Sequence, residues 1–544
     1  MHQAMNTALN KYLPLIIGLA LTVIFLRISF LQVDASGILF AEDQAFTFAV
    51  AQQIRDGHFP LLGPPSHIGG RHLGAFFYFI AAVCLELAGG DLVVAARIFS
   101  GLNFLSIALL ALLVQKIVPP QWRWWSIAIT LAFATSGNLV QILRIPWHSH
   151  ILFLISRIFL WTAHSLFTQG ISRLPLFLLG STLVTHLHFS AIPLVAAFCF
   201  VWLYTLRTPE QRAIERANAK ELLSPGPLLA LLTTIALWVP LAWHDLTFSQ
   251  NTILDILTRT GSQKAHAGIL RAFANAGYFF RLNIMGGPGF KELWNDSRVS
   301  IYLLLTLSSL GFFIRGRSAI RPEARTFVAA LIVALVLYTL ATSRQPAPLQ
   351  TYYLYPILAL PFIFGTVAMI GMISSLKRGW ADKLFTIGIG IIWISSLRFG
   401  IYFFERDAHT GGISRYNSLL HVIEMGEVLR AESAKLPTGG AHTVLGRGEM
   451  GIMKDTYLGQ LGSNYYGQMH YAETMRELPA FQTPSSSPYA FAIVCPDPPQ
   501  HHLNAMWQEL RATWRELSEV DLTECTTCRR CRMWVLERKP PPSS

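Results

Sequence analysis

Apolar runs separated by short polar connections fill the first 404 residues, and most approach the roughly 20 residues that a bilayer-spanning helix needs. The pattern predicts eleven crossings, near 13–31, 93–115, 124–143, 151–170, 174–188, 190–206, 227–243, 300–316, 326–343, 355–375 and 384–404. The pair 174–188 and 190–206 is short, with His186 and His188 at its turn. One stretch breaks the pattern. From Asp34 to Leu73 the chain is polar, rich in acids, histidines, glycines and prolines. Within it Phe46, Val50 and Ile54 recur at i, i+4 and i+8, which predicts a short helix opening at Glu42 and Asp43. Gly57 fits its stop and Pro60 prevents resumption. The loop LLGPPSHIGG then leads to Arg71, His72 and a further apolar segment, His72 to Ala88. That segment is short and contains Glu86, so it reads as an interfacial or re-entrant helix and not as a crossing.

Of the 544 residues, 52% are hydrophobic and 14% charged, the composition of a polytopic α-helical membrane protein. The formal net charge of +12 does not point to nucleic acid, because it is unevenly spread: 29 Lys/Arg stand against 15 Asp/Glu in residues 1–404, and 14 against 16 from Glu405 onward. Basic residues on short connections set membrane topology. With the N-terminus inside, the cytoplasmic connections hold Lys116 and Arg123; Arg173; Arg207, Arg212, Arg216 and Lys220; Arg315, Arg317, Arg321 and Arg325; and Lys377, Arg378 and Lys383. The opposite connections RIPWHSH and SRQPAPLQTYY hold one arginine each. If 72–88 crossed, Lys116 and Arg123 would fall outside and the later loops would conflict. The map therefore gives a transmembrane domain over 1–404, with a first outer loop at 34–92 and a second at 244–299, broken by Gly-Gly-Pro-Gly at 286–289. The tail, 405–544, is long enough for a small extracytoplasmic domain. Its strand-like runs (AHTVLG, YAFAIVC, RMWVLER) alternate with helix-like ones (LLHVIEMGEVLRAESAKL, LNAMWQELRATWREL), which predicts an α/β or α+β unit. The first apolar run follows only Lys11 and shows no small-residue cleavage site, so it is expected to remain as a helix.

The chemistry concentrates in the polar stretch. Glu42 and Asp43 open a helix, where a carboxylate satisfies orphan amides and the macrodipole; a carboxylate at a water–membrane boundary also suits a general base, and the two roles are compatible. Arg71 and His72 fit either an anchor to lipid headgroups or a partner for a phosphate. His148 with His150, and His186 with His188, form two His-x-His pairs. On a strand such a pair shares a face and suits a metal; on helices, which these segments predict, its members diverge, and a structural role follows. Cys84 and Cys199 lie in apolar segments as packing residues. Cys495, Cys525, Cys528 and Cys531 lie in the tail, where the run C-T-T-C-R-R-C lacks the fourth ligand of an iron–sulfur series. Outside the cytoplasm they are expected to form disulfides, with three pairings open. Neither a phosphate-binding Walker loop nor a dinucleotide fingerprint is present, and G-R-G-E-M-G at 446–451 lacks the strand–helix context. A nucleotide-driven pump is thereby disfavoured.

Glu42-Asp43-Gln44-Ala45, the break Gly57-His58-Phe59-Pro60-Leu61-Leu62-Gly63, and Gly69-Gly70-Arg71-His72-Leu73-Gly74-Ala75-Phe76-Phe77-Tyr78-Phe79 together resemble a known pattern. The chain is similar to the C-type (GT-C fold) integral-membrane glycosyltransferases, in the branch of protein O-mannosyltransferases and lipid A aminoarabinose transferases. The likeness covers roughly residues 10–210, with Ala96-Arg97 opening the next crossing and Tyr352-Tyr353-x-x-Pro356 matching further on. It implies a bacterial inner-membrane enzyme whose active site and C-terminal domain face the periplasm or exterior. Its donor would be a polyprenyl-phosphate-linked sugar and its acceptor a hydroxyl on a lipid, glycan or protein. By resemblance Asp43, beside Glu42, matches the family's essential outer-loop aspartate, and Arg71 or His72 falls where a phosphate-contacting lysine stands. Arg97, His148, Tyr352 and Tyr353 are the further candidate substrate contacts. Two positions depart from the pattern: Gln44 replaces a second acid, which removes a ligand from any divalent cation there, and Leu73-Gly74 replace Pro-Pro. No other cofactor is implied. A transporter or flippase of lipid-linked saccharides is the competing expectation, but it would spread polar residues through the mid-bilayer of two related halves, and here they gather at one face.

Overall fold

The computed structural model describes residues 42–64, 72–134, 148–248, 251–254, 320–342, 355–357, 359–375, 419–437, 444–446, 489–494, 514–522 and 532–539, with a few isolated positions besides. The polar stretch yields the short helix its pattern predicts, α1 (Glu42–Arg55), and the short apolar segment after it yields α2 (Phe76–Leu87). Gln44, Thr47, Phe48, Val50 and Ala51 of α1 are buried. At the end of α1, Gly57 takes φ 88°, a left-handed conformation that costs a residue without a Cβ little. His58 N then donates to Gln53 O at 2.8 Å, closing the helix in the glycine-terminated manner. Helix α2 is 12 residues, about 18 Å at 1.5 Å per residue, well short of the roughly 30 Å hydrocarbon core. It packs along α1. Glu86, out of place in an apolar run, accepts from Arg55 Nε of α1 at 2.7 Å.

Eight of the predicted crossings have a helix at their position among the described residues: α3 (Leu92–Ile117), α4 (Arg123–Ala134), α5 (His148–Gln169), α6 (Leu174–Leu187), α7 (Ile192–Thr205), then, after the polar helix α8 (Pro209–Asn218), α9 (Pro225–Thr247), α10 (Arg325–Thr342) and α11 (Ala359–Ser375). Four are long and apolar enough to cross a membrane: Leu92–Ile117, His148–Gln169, Pro225–Thr247 and, with the short turn before α10, Pro322–Ala341. Helices α6 and α7, 14 residues each, rise only about 21 Å apiece and meet at His188, where the sequence puts their turn. The predicted crossings 13–31, 300–316 and 384–404 lie outside the described residues, isolated positions aside.

Helix α5 is the centre of the bundle. Its most apolar window is 67% buried inside the protein, against 17% for α9, and it packs against α3, α6, α10 and α11. Trp161 Nε1 of α5 donates to Leu109 O of α3 at 2.9 Å. By contrast α9 contacts α6 among the long helices and leaves Leu228, Leu229, Leu232, Ile235, Val239, Trp243 and Leu246 exposed. An uncovered apolar face of this length is what a bilayer solvates.

In the tail, α12 (Leu419–Ala434) precedes β1 (Val444–Gly446), β2 (Tyr489–Val494), β3 (Trp514–Val520) and β4 (Arg532–Arg538), in the sheet order β1-β2-β4-β3. β1 pairs with β2 in parallel; β2 and β3 each pair with β4 antiparallel. Met533, Trp534, Val535 and Leu536 of the inner strand β4 are all buried. One expectation is corrected. The helix-like run LNAMWQELRATWREL ends in strand β3 from Trp514 onward, because pairing with β4 outweighs a helical preference that is weak to begin with; Arg515 bonds Glu537 across the pair. Cys495, Cys525, Cys528 and Cys531 and the Gly-Gly-Pro-Gly break lie outside the described residues.

Candidate functional site

The loop that leaves α1 doubles back on itself. Gly63 N donates to His72 O and His72 N to Pro64 O, both at 2.9 Å, so both main-chain hydrogen bonds of His72 are used to fix it. Two glycines permit this approach. A Cβ on Gly63 would stand 2.6 Å from Gly74 O and 3.0 Å from the His72 Cβ, and a Cβ on Gly74 would overlap the His186 ring. Leu62 and Leu73 pack with Leu241 of α9 behind the loop.

So fastened, His72 is 2% exposed and its ring lies against three others. Its centroid is 5.1 Å from that of His148, 4.9 Å from His188 and 4.7 Å from Phe189. His148, the first residue of α5, stacks at 6.4 Å on His188 and takes the edge of Phe77 at 5.8 Å. His188 occupies the break between α6 and the following turn, with extended backbone at φ −160°. Its Nδ1 accepts from Ser190 N at 3.2 Å, with Ser190 Oγ at 2.7 Å. Because a backbone N–H only donates, Nδ1 holds a lone pair and the ring proton of the neutral imidazole sits on Nε2. His188 therefore offers the cluster a donor.

The His-x-His pairs split as helical geometry requires, but across pairs they converge. His148 joins His72, while His150 turns to Tyr355, whose Oη lies 3.4 Å from its Nε2. His188 joins the cluster, while His186 packs edge-on to Trp238 at 4.6 Å. Among the described residues no group of three His, Cys, Asp or Glu side chains is placed to hold a metal ion. The three imidazoles pack ring against ring.

Of the candidates named from sequence, His72 and His148 are brought together. Glu42 and Asp43 stand on the first turn of α1, where the macrodipole favours a carboxylate, and Gln44 beside them is 3% exposed. Arg97 is half-buried on the second turn of α3, the helix that packs on both α2 and α5. The side chains of Glu42 and Asp43, and residues Arg71, Tyr352 and Tyr353, lie outside what is described. From sequence His188 reads only as a structural member of the His186-x-His188 pair, and Tyr355 is not singled out. The signal for His188 was its place at the α6–α7 turn, and that for Tyr355 its place in Tyr352-Tyr353-x-x-Pro356.

With this geometry in hand, the whole chain compares with two solved structures of ArnT from Cupriavidus metallidurans. The one bound to undecaprenyl phosphate superposes with a TM-score of 0.58 and the apo form with 0.55. Each is 12% identical in sequence, over 95% of this chain and 97% of the other. No family model and no curated protein sequence matches the chain. At this identity the likeness is one of fold, and it extends the expected GT-C resemblance from the first 210 residues to nearly the full length.

Proposed function

We propose that this chain is an integral-membrane glycosyltransferase that moves a sugar from a polyprenyl-phosphate-linked donor to an acceptor hydroxyl on the extracytoplasmic side. The observation that carries the reading is the convergence of His72, His148 and His188 at the end of the bundle where the α1–α2 loop returns. It is supported by the fold shared with a structure whose bound ligand is undecaprenyl phosphate. The acceptor oxygen attacks the anomeric carbon, the carbon–phosphate oxygen bond breaks, and the hydroxyl proton passes to the Asp43 carboxylate as general base. Negative charge grows on the departing lipid phosphate. His72 and the Nε2–H of His188, fixed in the packed cluster, stabilise that charge without reorganising, and Arg71, the residue before His72 in sequence, adds positive charge.

The test is turnover by detergent-purified protein supplied with polyprenyl-phosphate sugars and candidate acceptors. His188→Ala removes a donor that the growing charge meets and is expected to lower kcat by about 10-fold to 1,000-fold, the range seen when one oxyanion donor is lost. Unchanged kcat would take His188 out of the site. The orientation has its own test. An alkaline phosphatase fused after Ser544 is expected to be active and a green fluorescent fusion dark, since the basic connection at Lys377, Arg378 and Lys383 faces the cytoplasm under this reading; the reverse pattern would overturn the topology.

A further inference from the structure

Arg157 lies in the middle of α5, the most enclosed helix of the bundle, and is itself 2% exposed. Its Nη1 donates to Phe153 O at 3.1 Å and to Ser156 Oγ at 3.0 Å, and its guanidinium carbon sits 5.3 Å from the centre of the Phe153 ring. Both hydrogen-bond partners belong to α5 and are uncharged. Nε has no partner among the described residues. Ser149, two turns back on the same face at i and i+8 from Arg157, likewise has a buried Oγ with no partner among the described residues.

The sequence sharpens the imbalance. None of the eleven predicted crossings contains an aspartate or glutamate, while Arg27, Arg97, Arg157 and Arg398 fall inside them. A guanidinium does not deprotonate, and an intramembrane ion without a counter-charge is costly. The spans offer no side chain to neutralise it. Arg157 also reaches toward one particular end: its Nη1 bonds at the level of Phe153, five residues from His148, or about 7.5 Å along the helix axis. Phe153 in turn packs at 4.7 Å on Tyr355, which contacts His150. Arg157 and His150 stand seven residues apart on one face of α5, so the unbalanced cation sits on the Tyr355 side of the helix, toward its His148 end.

We infer that Arg157 is a recessed anion-binding residue whose counter-charge is a lipid-borne phosphate entering the bundle from the His148 end. The guanidinium fork is the group that holds a phosphate by paired, charge-assisted hydrogen bonds, and Ser149 Oγ supplies a neutral donor on the same stripe. The inference deepens the proposed function by adding a cation on α5, and its test reads binding, not transfer.

The probes are undecaprenyl phosphate, phosphatidylglycerol and the unphosphorylated polyprenol, titrated against detergent-purified wild type and Arg157→Met by native mass spectrometry, with melting temperatures taken alongside. Removing an unpaired buried charge is expected to leave melting unchanged or raised, since an apolar side chain of similar length is no worse there. Affinity for a phosphate lipid is expected to fall about 10-fold to 100-fold, the worth of one to two hydrogen bonds to a charged group. Loss confined to undecaprenyl phosphate identifies the donor lipid as the source, and equal loss for phosphatidylglycerol identifies bulk phospholipid; either supports the inference. Unchanged phosphate-lipid affinity, a parallel loss for the polyprenol, or no phosphate-lipid binding by wild type overturns it. Should Arg157→Met fail to fold, Arg157→Lys is decisive: a folded protein with weakened phosphate binding supports the inference, and unchanged binding or a second failure to fold makes Arg157 a structural residue. Phosphate-lipid binding that depends on Arg157 in a protein that transfers no sugar would sink the transferase reading and leave this one standing.

Discussion

Replacing Asp43 with asparagine is expected to leave the protein folded and to lower turnover by roughly two to four powers of ten, the usual contribution of a general base. The contrast comes from the residue's place on the first turn of α1. Asparagine caps a helix about as well as aspartate, so whatever Asp43 does for α1 survives the change. What is lost is the proton acceptor. Expression level and melting temperature should match the wild type, while transfer in detergent collapses. A folded Asp43→Asn protein with near-native turnover would remove Asp43 from the mechanism and leave the first turn of α1 with a structural role alone.

The second large effect is expected at a residue with no side chain. In Gly74→Ala the new methyl overlaps the ring of His186, which is buried at 1% exposure and wedged against Trp238. The ring has little room to retreat, because Trp238 is itself held by a 3.1 Å hydrogen bond from its Nε1 to Thr182 Oγ1. Overpacking of this kind costs about 1–3 kcal/mol. The strain is next relieved along the backbone, and the neighbour in that direction is His72, whose carbonyl and amide are both committed to the loop clasp. A melting temperature lowered by several degrees, together with reduced transfer, is the expected result, and Gly63→Ala should behave similarly through Gly74 O. A Gly74→Ala protein with wild-type melting would mean that the α1–α2 loop does not press on α6.

Much of the architecture was legible in the sequence because its signals are local. The i, i+4 spacing of Phe46, Val50 and Ile54 with Gly57 behind them predicted α1 within its bounds, and the shortness of 72–88 predicted a helix that does not span. The length of the apolar runs gave α3, α5, α9 and α10. The tail was legible only in part: WREL reads as the end of a helix by composition, and only a partner strand, Arg532–Arg538, more than a dozen residues away, makes it a strand. The site was half legible for the same reason. His72 and His148 were named individually, from the loop motif and from resemblance. Their meeting with His188 depends on how α5 and α6 pack and on two glycines that let the loop close, and no spacing rule along one chain encodes that. The divergence of each His-x-His pair was read correctly, but it concealed the convergence between pairs.

The central claim is that this protein breaks the bond between a sugar and a lipid phosphate. The most direct measurement follows both products of a polyprenyl-phosphate sugar, with separate labels on sugar and lipid, in proteoliposomes holding wild type or Asp43→Asn. The predicted result is one free polyprenyl phosphate for each sugar passed to an acceptor, and almost none of either with Asp43→Asn. A lipid that crosses the bilayer with its sugar still attached, equally in both proteins, would contradict the account and identify a transporter.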